Sequence, residues 1–217
     1  MERVTVLESP VLQTLLKNLR DKGTSTTFFR QNLRRAGYLM TYEVVSKECT
    51  STNTKVVTVL GTAPATIIDE KILQIMIMRA GAPFTEGGTK LLDELGSIRA
   101  IGVVDAKRLE AEGSLEMDID IGSFKVPKIN GDEVLIIYDP MLATGSTLVR
   151  VLKMLKKKPR KLIICSVVST EFGLKRVLET CPDAHIYTLA IDPELDGRGF
   201  IVPGLGDCGD RAFGECG

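Results

Sequence analysis

The chain has 217 residues, of which 44% are apolar and 26% charged, so a disordered or fibrous protein is excluded. Lysine plus arginine and aspartate plus glutamate number 28 each, and this zero net charge argues against a surface that coats nucleic acid or anionic lipid. No apolar run is long enough to span a bilayer, and the N-terminus lacks the pattern of a signal peptide. We therefore expect one cytoplasmic domain over residues 1–217, with neither nucleic acid nor membrane as a partner.

The N-terminal 50 residues carry two helical patterns. Ser9 and Pro10 predict the start of a first helix, whose leucines recur at helical spacing and which ends near Gly23. A Ser/Thr cluster at residues 24–27 then begins a second helix with one apolar face. Three arginines lie largely off that face and are interpreted as solvated: Arg30, Arg34 and Arg35.

From residue 56 onward the pattern changes to short apolar runs. Six of them are predicted as strands: Val56–Leu60, Ile72–Met78, Ile98–Val104, Val134–Tyr138, Leu162–Val168 and Ile186–Ile191. Several runs are continuously apolar, which is typical of parallel strands covered on both faces. Amphipathic segments around Leu148 and Leu174 separate the last three runs, so the fold class is predicted as α/β with a doubly wound sheet.

Two segments interrupt this pattern. Residues 105–130 are charged and contain two glycines, which indicates an exposed hairpin or flap. Within it, Asp118 and Asp120 could form a metal pair, but the alternation of a flap strand is the favoured interpretation. Residues 193–217 contain seven glycines and two prolines, and are predicted to be an irregular loop with neither helix nor strand.

Cysteine and histidine carry little chemistry in this sequence. The five cysteines include no CxxC pair, so neither a disulfide framework nor a thiolate zinc site is indicated. Cys165 lies within an apolar run and is predicted to be a core residue. His185 is the only histidine, and a structural role is favoured over a catalytic triad built on it alone.

The most informative segment follows the predicted strand Val134–Tyr138 and reads DPMLATGST from Asp139 to Thr147. A buried strand ends there in a carboxylate, and small and hydroxylated residues lead into a helix N-terminus, where amide groups and the helix dipole favour an anion. Neither the Walker pattern nor GxGxxG is present. A carboxylate just before a phosphate-binding turn fits a sugar phosphate.

This loop resembles the phosphoribosyl pyrophosphate (PRPP) loop of the uracil phosphoribosyltransferases, archaeal proteins included. The resemblance extends over nearly the whole chain: to Ile191–Leu195, to Gly199–Gly214 with its PGLGDCGDRAFG, to Arg79-Ala80-Gly81 and to the segment from Phe29 to Glu43. It implies a type I phosphoribosyltransferase fold, with a doubly wound, mostly parallel sheet, a hairpin flap at 105–130 and a uracil-binding loop at 193–217. The implied reaction is uracil plus PRPP giving UMP and diphosphate, in pyrimidine salvage.

The resemblance also implies the residues of the site. The catalytic residues would be Arg79 and Asp207. The residues that bind PRPP would be Arg79, Arg108, Asp139, Pro140, Met141, Leu142, Ala143, Thr144, Gly145, Ser146, Thr147 and Asp207. The residues that bind uracil would be Ile201, Gly206, Asp207 and Cys208.

Three of these positions depart from the family's pattern. Arg108 is assigned to the diphosphate with Lys107 as its rival, because the local spacing differs. Ser146 replaces the glycine of many relatives, and Cys208 replaces a commoner alanine. We expect both replacements to be tolerated, since a serine still offers its amide and the role of Cys208 is carried by its main chain.

Mg²⁺ is the implied cofactor, held mainly by PRPP rather than by protein ligands. The implied partners are PRPP, uracil, UMP and diphosphate, in a homodimer or homotetramer, with GTP and CTP as effectors to which Arg30, Arg34 and Arg35 could respond. No histidine lies near the motifs, so the acceptor of the N1 proton stays open between positioning, solvent and Asp207.

Two other functions remain open on the sequence. One is an RNA-binding regulator of pyrimidine genes that keeps the phosphoribosyltransferase fold, against which the zero net charge and the intact loop both count. The other is the same chemistry on a different base.

Overall fold

The computed structural model describes residues 2–108 and 118–215, except the side chains of Ile98 and Arg108. Its helices are α1 (Pro10–Arg20), α2 (Thr26–Glu48), α3 (Gly81–Glu94), α4 (Ser146–Met154), α5 (Glu171–Thr180) and α6 (Cys208–Phe213). Its strands are β1 (Val4–Val6), β2 (Ser51–Val57), β3 (Thr62–Ile68), β4 (Ile72–Met78), β5 (Ile98–Arg108), β6 (Ile119–Lys125), β7 (Val134–Tyr138), β8 (Met141–Leu142), β9 (Lys161–Thr170), β10 (His185–Asp192), β11 (Glu194–Leu195) and β12 (Ile201–Val202).

The central sheet runs in the order β1-β10-β9-β7-β4-β5-β6, with β8 beside β9. All neighbouring strands are parallel except β6, which runs antiparallel to β5. This arrangement confirms the predicted doubly wound, mostly parallel α/β sheet. None of the helices in the two described ranges combines the length and the apolar character that crossing a membrane requires.

Strand β7 shows why the predicted strands read as continuous apolar runs. Val134, Ile136 and Tyr138 belong to a core shared with α1, α2 and α3, whereas Leu135 and Ile137 belong to a second core with α4 and α5. Both faces of the strand are therefore buried, and no position along it is left for a polar residue. Because the central strands are parallel, their carboxyl ends meet at one edge of the sheet.

The predicted strand Val56–Leu60 is wrong. The chain there forms a separate two-stranded hairpin, in which β2 pairs antiparallel with β3 and residues 58–61 make the turn. The amide of Thr58 donates to the carbonyl oxygen of Gly61 over 2.7 Å, which closes this turn. The error arose because an apolar run indicates a buried strand, whereas these valines and Leu60 lie on the surface.

The two N-terminal helices are confirmed, and the second of them, α2, extends to Glu48. Helix α3 and strand β1 were missed. The interpretation of residues 193–217 as irregular is also wrong in part, since β11 pairs with β12 and α6 follows them. The glycines of this tail keep its elements short. Asp207 is the N-cap of α6, where it accepts a hydrogen bond from the amide of Asp210 at 2.9 Å.

Cys165 is completely buried in the core, as predicted. His185 begins β10 at the amino edge of the sheet, where its Nδ1 lies 2.7 Å from Oε1 of Glu48. Glu48 also accepts from Tyr187 Oη at 2.6 Å and from Lys161 Nζ at 2.8 Å. Burial alone would raise the pKa of Glu48, but these three partners outweigh it and lower the pKa from 4.5 to about 2.

Replacing Glu48 with glutamine is therefore expected to destabilise the protein by about 2 kcal/mol at pH 7. A depressed carboxyl pKa stabilises the folded state above the ordinary pKa of 4.5, and this stabilisation disappears as the pH falls towards about 2. Urea unfolding of the wild type and the variant across this pH range measures the difference. The control is Glu43→Gln, a half-exposed member of an ion pair with Lys47 on the same helix, for which we expect less than about 0.5 kcal/mol.

Candidate functional site

The loop after β7 is fixed by its neighbour β9. The carbonyl oxygen of Pro140 accepts from the amides of Val167 and Val168 at 3.0 and 3.1 Å. The amide of Leu142 donates to Ser166 Oγ over 3.1 Å, and β8 runs parallel to β9 from Met141. These hydrogen bonds fix the direction in which the loop leaves the sheet, and Asp139 lies at the start of the loop.

The second half of the loop forms a concave turn at the N-terminus of α4. Gly145 has a φ of 74°, a left-handed conformation that a side chain would disfavour, and a Cβ there would lie 2.9 Å from the carbonyl oxygen of Gly173. Asp139 and residues 141–148 line a small concave space in front of the turn. Backbone amides at a helix N-terminus make such a space suitable for a phosphate group.

Arg79 follows β4 and lies against the C-terminal tail. Its Nη2 donates to Asp210 Oδ1 over 2.9 Å, and both side chains are partly exposed. A Cβ placed on Gly209 would lie 3.2 Å from both Arg79 Nη2 and Asp207 Oδ1, so both side chains lie close to this glycine. The structure thus brings together the two residues that the sequence resemblance marked as catalytic.

The buried side chain of Cys208 is affected by charges from both the tail and the loop after β7. Its side chain is buried, and burial raises the pKa of its thiol strongly, with further contributions from the negative charges of Asp139 and Asp207. The carboxylates of Asp139, in the loop, and of Asp207, in the tail, therefore both raise the pKa of this one buried thiol. The thiol is held neutral and is unsuited to nucleophilic chemistry.

The proposed uracil loop is held by a charge pair that the sequence did not reveal. Arg20, the last residue of α1, donates to both carboxylate oxygens of Asp192 at 2.7 and 2.6 Å, and to the carbonyl oxygen of Gly204 at 2.8 Å. The same carboxylate accepts from the amide of Gly204 at 2.8 Å. Gly204 has a φ of 55°, and a Cβ on it would collide with the carbonyl oxygen of Ile201. The turn after β12 is therefore fixed between α1 and the end of β10.

Arg211 supplies a second link between the first helices and the tail. It donates to the carbonyl oxygens of Leu19, of Leu205 at 2.8 Å and of Asp21 at 2.6 Å. Its guanidinium lies 4.4 Å from the centre of the Phe29 ring. These contacts position the backbone on both sides of Gly206.

The three arginines of α2 have separate surroundings. Arg30 donates to the carbonyl oxygen of Ala212 at 2.7 Å, and Arg34 forms a 2.6 Å ion pair with Glu86 of α3. Arg30 is thus a support for the C-terminal helix. The role of Arg34 and Arg35 in an effector site stays a prediction.

Part of the predicted flap falls outside the described residues. β5 and β6 form the antiparallel base of the hairpin, and Lys107 lies opposite Asp120 in its register. The side chain of Arg108 and residues 109–117 lie outside the described part, so the choice between Arg108 and Lys107 stays a prediction. Asp120 is exposed on a strand with mostly alternating exposure, as in the favoured interpretation, and no group of three or more metal-binding side chains occurs in the two described ranges.

A doubly wound, mostly parallel sheet with a concave turn at a helix N-terminus beyond the carboxyl end of β7, and with Asp139 directly before that turn, has the arrangement expected of a type I phosphoribosyltransferase fold. A family model described as uracil phosphoribosyltransferase matches residues 6–215. The chain belongs to the uracil phosphoribosyltransferase family.

Individual relatives agree with this assignment. A uracil phosphoribosyltransferase of Sulfurisphaera tokodaii is 43% identical, over 96% of this chain and 98% of that protein. The protein of the same description from Sulfolobus acidocaldarius is 41% identical, again over 96% and 98%. Among solved structures, the AQ2163 protein from Aquifex aeolicus is similar with a TM-score of 0.87 and 29% identity, over 97% of this chain and 98% of that chain.

Proposed function

We propose that this protein transfers the 5-phosphoribosyl group of PRPP to N1 of uracil, as its family membership and its site together support. The N1–C1′ bond forms while the bond between C1′ and the diphosphate oxygen breaks, and the bonding electrons leave with diphosphate. The N1 proton is released, and the product is UMP. Positive charge grows on the ribose and negative charge on the leaving group during this exchange, so groups that stabilise these charges accelerate it.

The observation that carries the proposal is that Arg79 and Asp139 follow the neighbouring strands β4 and β7 at the carboxyl edge of the sheet, where Arg79 also meets Asp207 and Asp210 around Gly209. The turn of residues 143–147 would bind the 5′-phosphate through its amides, and Asp139 would bind the ribose hydroxyls. Arg79 would bind the diphosphate and stabilise its charge as it leaves. Asp207 would face the ribose and the base.

The base would be recognised mainly by backbone groups. Ile201 lies in β12, Gly206 has a φ of 76°, and Cys208 opens α6, so all three lie on a chain that is fixed on both sides by Arg20 and Arg211. A rigid backbone edge can offer donors and acceptors that match the edge of a flat pyrimidine ring. Competition between uracil, other pyrimidines and purines tests this assignment.

Mg²⁺ fits this site as a companion of PRPP. Asp139 lines the concave space of the loop and Asp207 lies beside Arg79, and both offer carboxylate oxygens, which are the ligands that Mg²⁺ prefers. When bound, the ion neutralises charge on the diphosphate. Oxygen atoms of PRPP would supply most of its ligands, with the carboxylate of Asp207 nearby.

The direct test is the formation of labelled UMP from labelled uracil, PRPP and Mg²⁺, with adenine, hypoxanthine and cytosine as competing bases. Product from uracil and no competition by the others is the expected result. Folded protein that forms no UMP under these conditions would refute the proposal. An RNA shift assay at several salt concentrations addresses the regulatory alternative, because phosphate contacts give a steep salt dependence. GTP and CTP as effectors, and the cytoplasm as location, stay predictions.

The β2–β3 hairpin supports the proposal of a homo-oligomer. Val57, Val59 and Leu60 at its turn are 84, 100 and 98% exposed, and Val56 and Ile67 are exposed beside them. An apolar tip of this kind is costly to leave in water and is suited to contact with a second copy of the chain.

Replacing Val59 with aspartate is expected to shift the assembly to smaller species, because a charge would be buried at the contact. Light scattering measures the mass relative to the chain's 23.7 kDa. The control is Val11→Asp, the same replacement at a valine that is 59% exposed on α1, which should leave the mass unchanged. A wild type that is a monomer, or a mass equally unaffected by both changes, contradicts the role of the hairpin.

A further inference from the structure

Helix α5 packs against the backbone of the phosphate loop. Thr170, the N-cap of α5, donates to the carbonyl oxygen of Ala143 at 2.7 Å, and the same hydroxyl oxygen accepts from the amide of Gly173 at 3.0 Å. A Cβ on Gly173 would lie 2.3 Å from the Ala143 oxygen, so the helix and the loop touch through their backbones. The loop is therefore supported by an element that the sequence resemblance did not connect with it.

Arg176, in the second turn of α5, contacts two further positions of the loop. Its Nη1 donates to the carbonyl oxygen of Thr144 at 2.8 Å and to Ser146 Oγ at 3.0 Å. Thr144 and Ser146 are both buried, and the arginine itself is partly buried, with its guanidinium 5.6 Å from the centre of the Phe172 ring. These hydrogen bonds come from a charged donor to buried acceptors, which is the stronger class of such contacts.

The direction of these bonds determines the direction of the loop's amides. In a trans peptide the carbonyl of one residue and the amide of the next point in opposite directions. Because α5 binds the carbonyls of Ala143 and Thr144, the amides of Thr144 and Gly145 point away from α5. Those are the amides of the turn that would bind the phosphate.

The hydroxyl of Ser146 is oriented in the same way. Its Oγ accepts from Arg176 Nη1 and also from Thr144 Oγ1 at 3.0 Å. A hydroxyl oxygen has two lone pairs, so both are used, and the Ser146 hydrogen is left to be donated. Ser146 lines the concave space of the loop, where a phosphate oxygen is a suitable acceptor.

We propose that Arg176 is a positioning residue for the 5′-phosphate: it turns the Thr144 peptide and the Ser146 hydroxyl so that both donate to the phosphate of PRPP and UMP. The inference deepens the proposed function and rests on it. Arg176 acts through the loop and does not touch the substrate. Its removal should weaken the binding of the phosphate while the recognition of uracil stays intact.

The test compares ligands with and without the phosphate. Arg176→Met is expected to weaken UMP binding and raise the KM for PRPP about tenfold, the value of one charge-assisted hydrogen bond. The affinity for uridine and the KM for uracil should stay within about twofold, because uridine lacks the phosphate. Arg176→Lys should recover most of the loss, since one nitrogen makes both bonds in the wild type. Lys175→Met, an exposed cation on the same helix, is the control and should change none of these values.

A double-mutant cycle with Ser146→Gly identifies the route of the effect. The loss of UMP affinity caused by Arg176→Met should be smaller in the Ser146→Gly background, because the contact with Ser146 Oγ is already absent there. If Arg176→Met does not fold, Arg176→Gln carries the same comparison. Equal weakening of UMP and uridine, or unchanged UMP binding, overturns the role of Arg176. Failure of the wild type to form UMP refutes the proposed function instead.

Discussion

Replacing Arg79 with glutamine is expected to lower kcat for UMP formation by about 10²–10³-fold, the usual cost of removing one donor that stabilises a developing negative charge. Arg79 lies at the end of β4 beside Asp207 and Asp210, at the site of the proposed diphosphate. Glutamine retains a hydrogen-bond donor but has no charge. The charge matters most when the leaving group separates, so the loss should fall on kcat more than on the KM for uracil.

The matched control is Arg34→Gln. Arg34 also forms an ion pair with an acidic side chain, Glu86, and is similarly exposed, but it joins α2 to α3 away from the phosphate loop. We expect its kcat to remain within about twofold of the wild type, since exposed ion pairs contribute little. Equal rates for the Arg79 variant and the wild type would remove Arg79 from the chemistry. Equal losses in both variants would indicate a general effect of lost surface charge.

Replacing Asp192 with asparagine is expected to lower the free energy of unfolding by about 3 kcal/mol, because it leaves the charge of Arg20 in a partly buried site without its partner. Asp192 is 4% exposed and accepts both guanidinium bonds as well as the Gly204 amide. For a chain of this length, the melting temperature should fall by roughly 6–12 °C. The turn at Gly204 would also lose its anchor, so the KM for uracil should rise more than the KM for PRPP.

Asp196→Asn is the control for this prediction. Asp196 accepts from the amides of Arg198 and Phe200 at 2.9 Å each, so it also holds a turn of the tail, but it lies further out in the solvent. We expect a change of less than about 1 kcal/mol there. Differential scanning calorimetry measures stability, and steady-state kinetics with each substrate varied in turn measures the two KM values. A stable Asp192 variant whose two KM values rise by the same factor would contradict the anchoring role.

The strand, turn and helix of the proposed phosphate loop were predictable because their signals are local. A buried strand, a carboxylate, small residues and an amphipathic helix follow one another between Val134 and Met154, and each depends only on its neighbours in the sequence. The parallel strands were predictable for the same reason, since a fully buried strand has no polar face. The proposal that the tail binds the base depends on the resemblance to a family, because its glycines alone would fit any surface turn.

The residues that hold the site together were not predictable, because their partners are distant in the sequence. Arg20 and Asp192 are 172 positions apart, and Arg176 lies 32 positions from Thr144. An arginine near the end of a helix is common in proteins. Only the folded structure shows which carbonyl or carboxylate such an arginine contacts. The hairpin at residues 51–68 misled for a different reason, since its valines are apolar without being buried.

Segments that are far apart in the sequence meet beside the proposed base-binding turn, where Arg20 contacts Asp192 and Arg211 donates to the carbonyl oxygens of Leu19 and Asp21. During translation, α1 therefore leaves the ribosome long before the residues that its Arg20 contacts, Asp192 and Gly204. The contacts that hold the proposed base-binding turn can form only after Arg211 has been synthesised, whereas the strand, loop and helix between Val134 and Met154 are complete earlier. A nascent chain interrupted before residue 192 would contain the proposed phosphate loop but none of the contacts of Arg20 with Asp192 and Gly204.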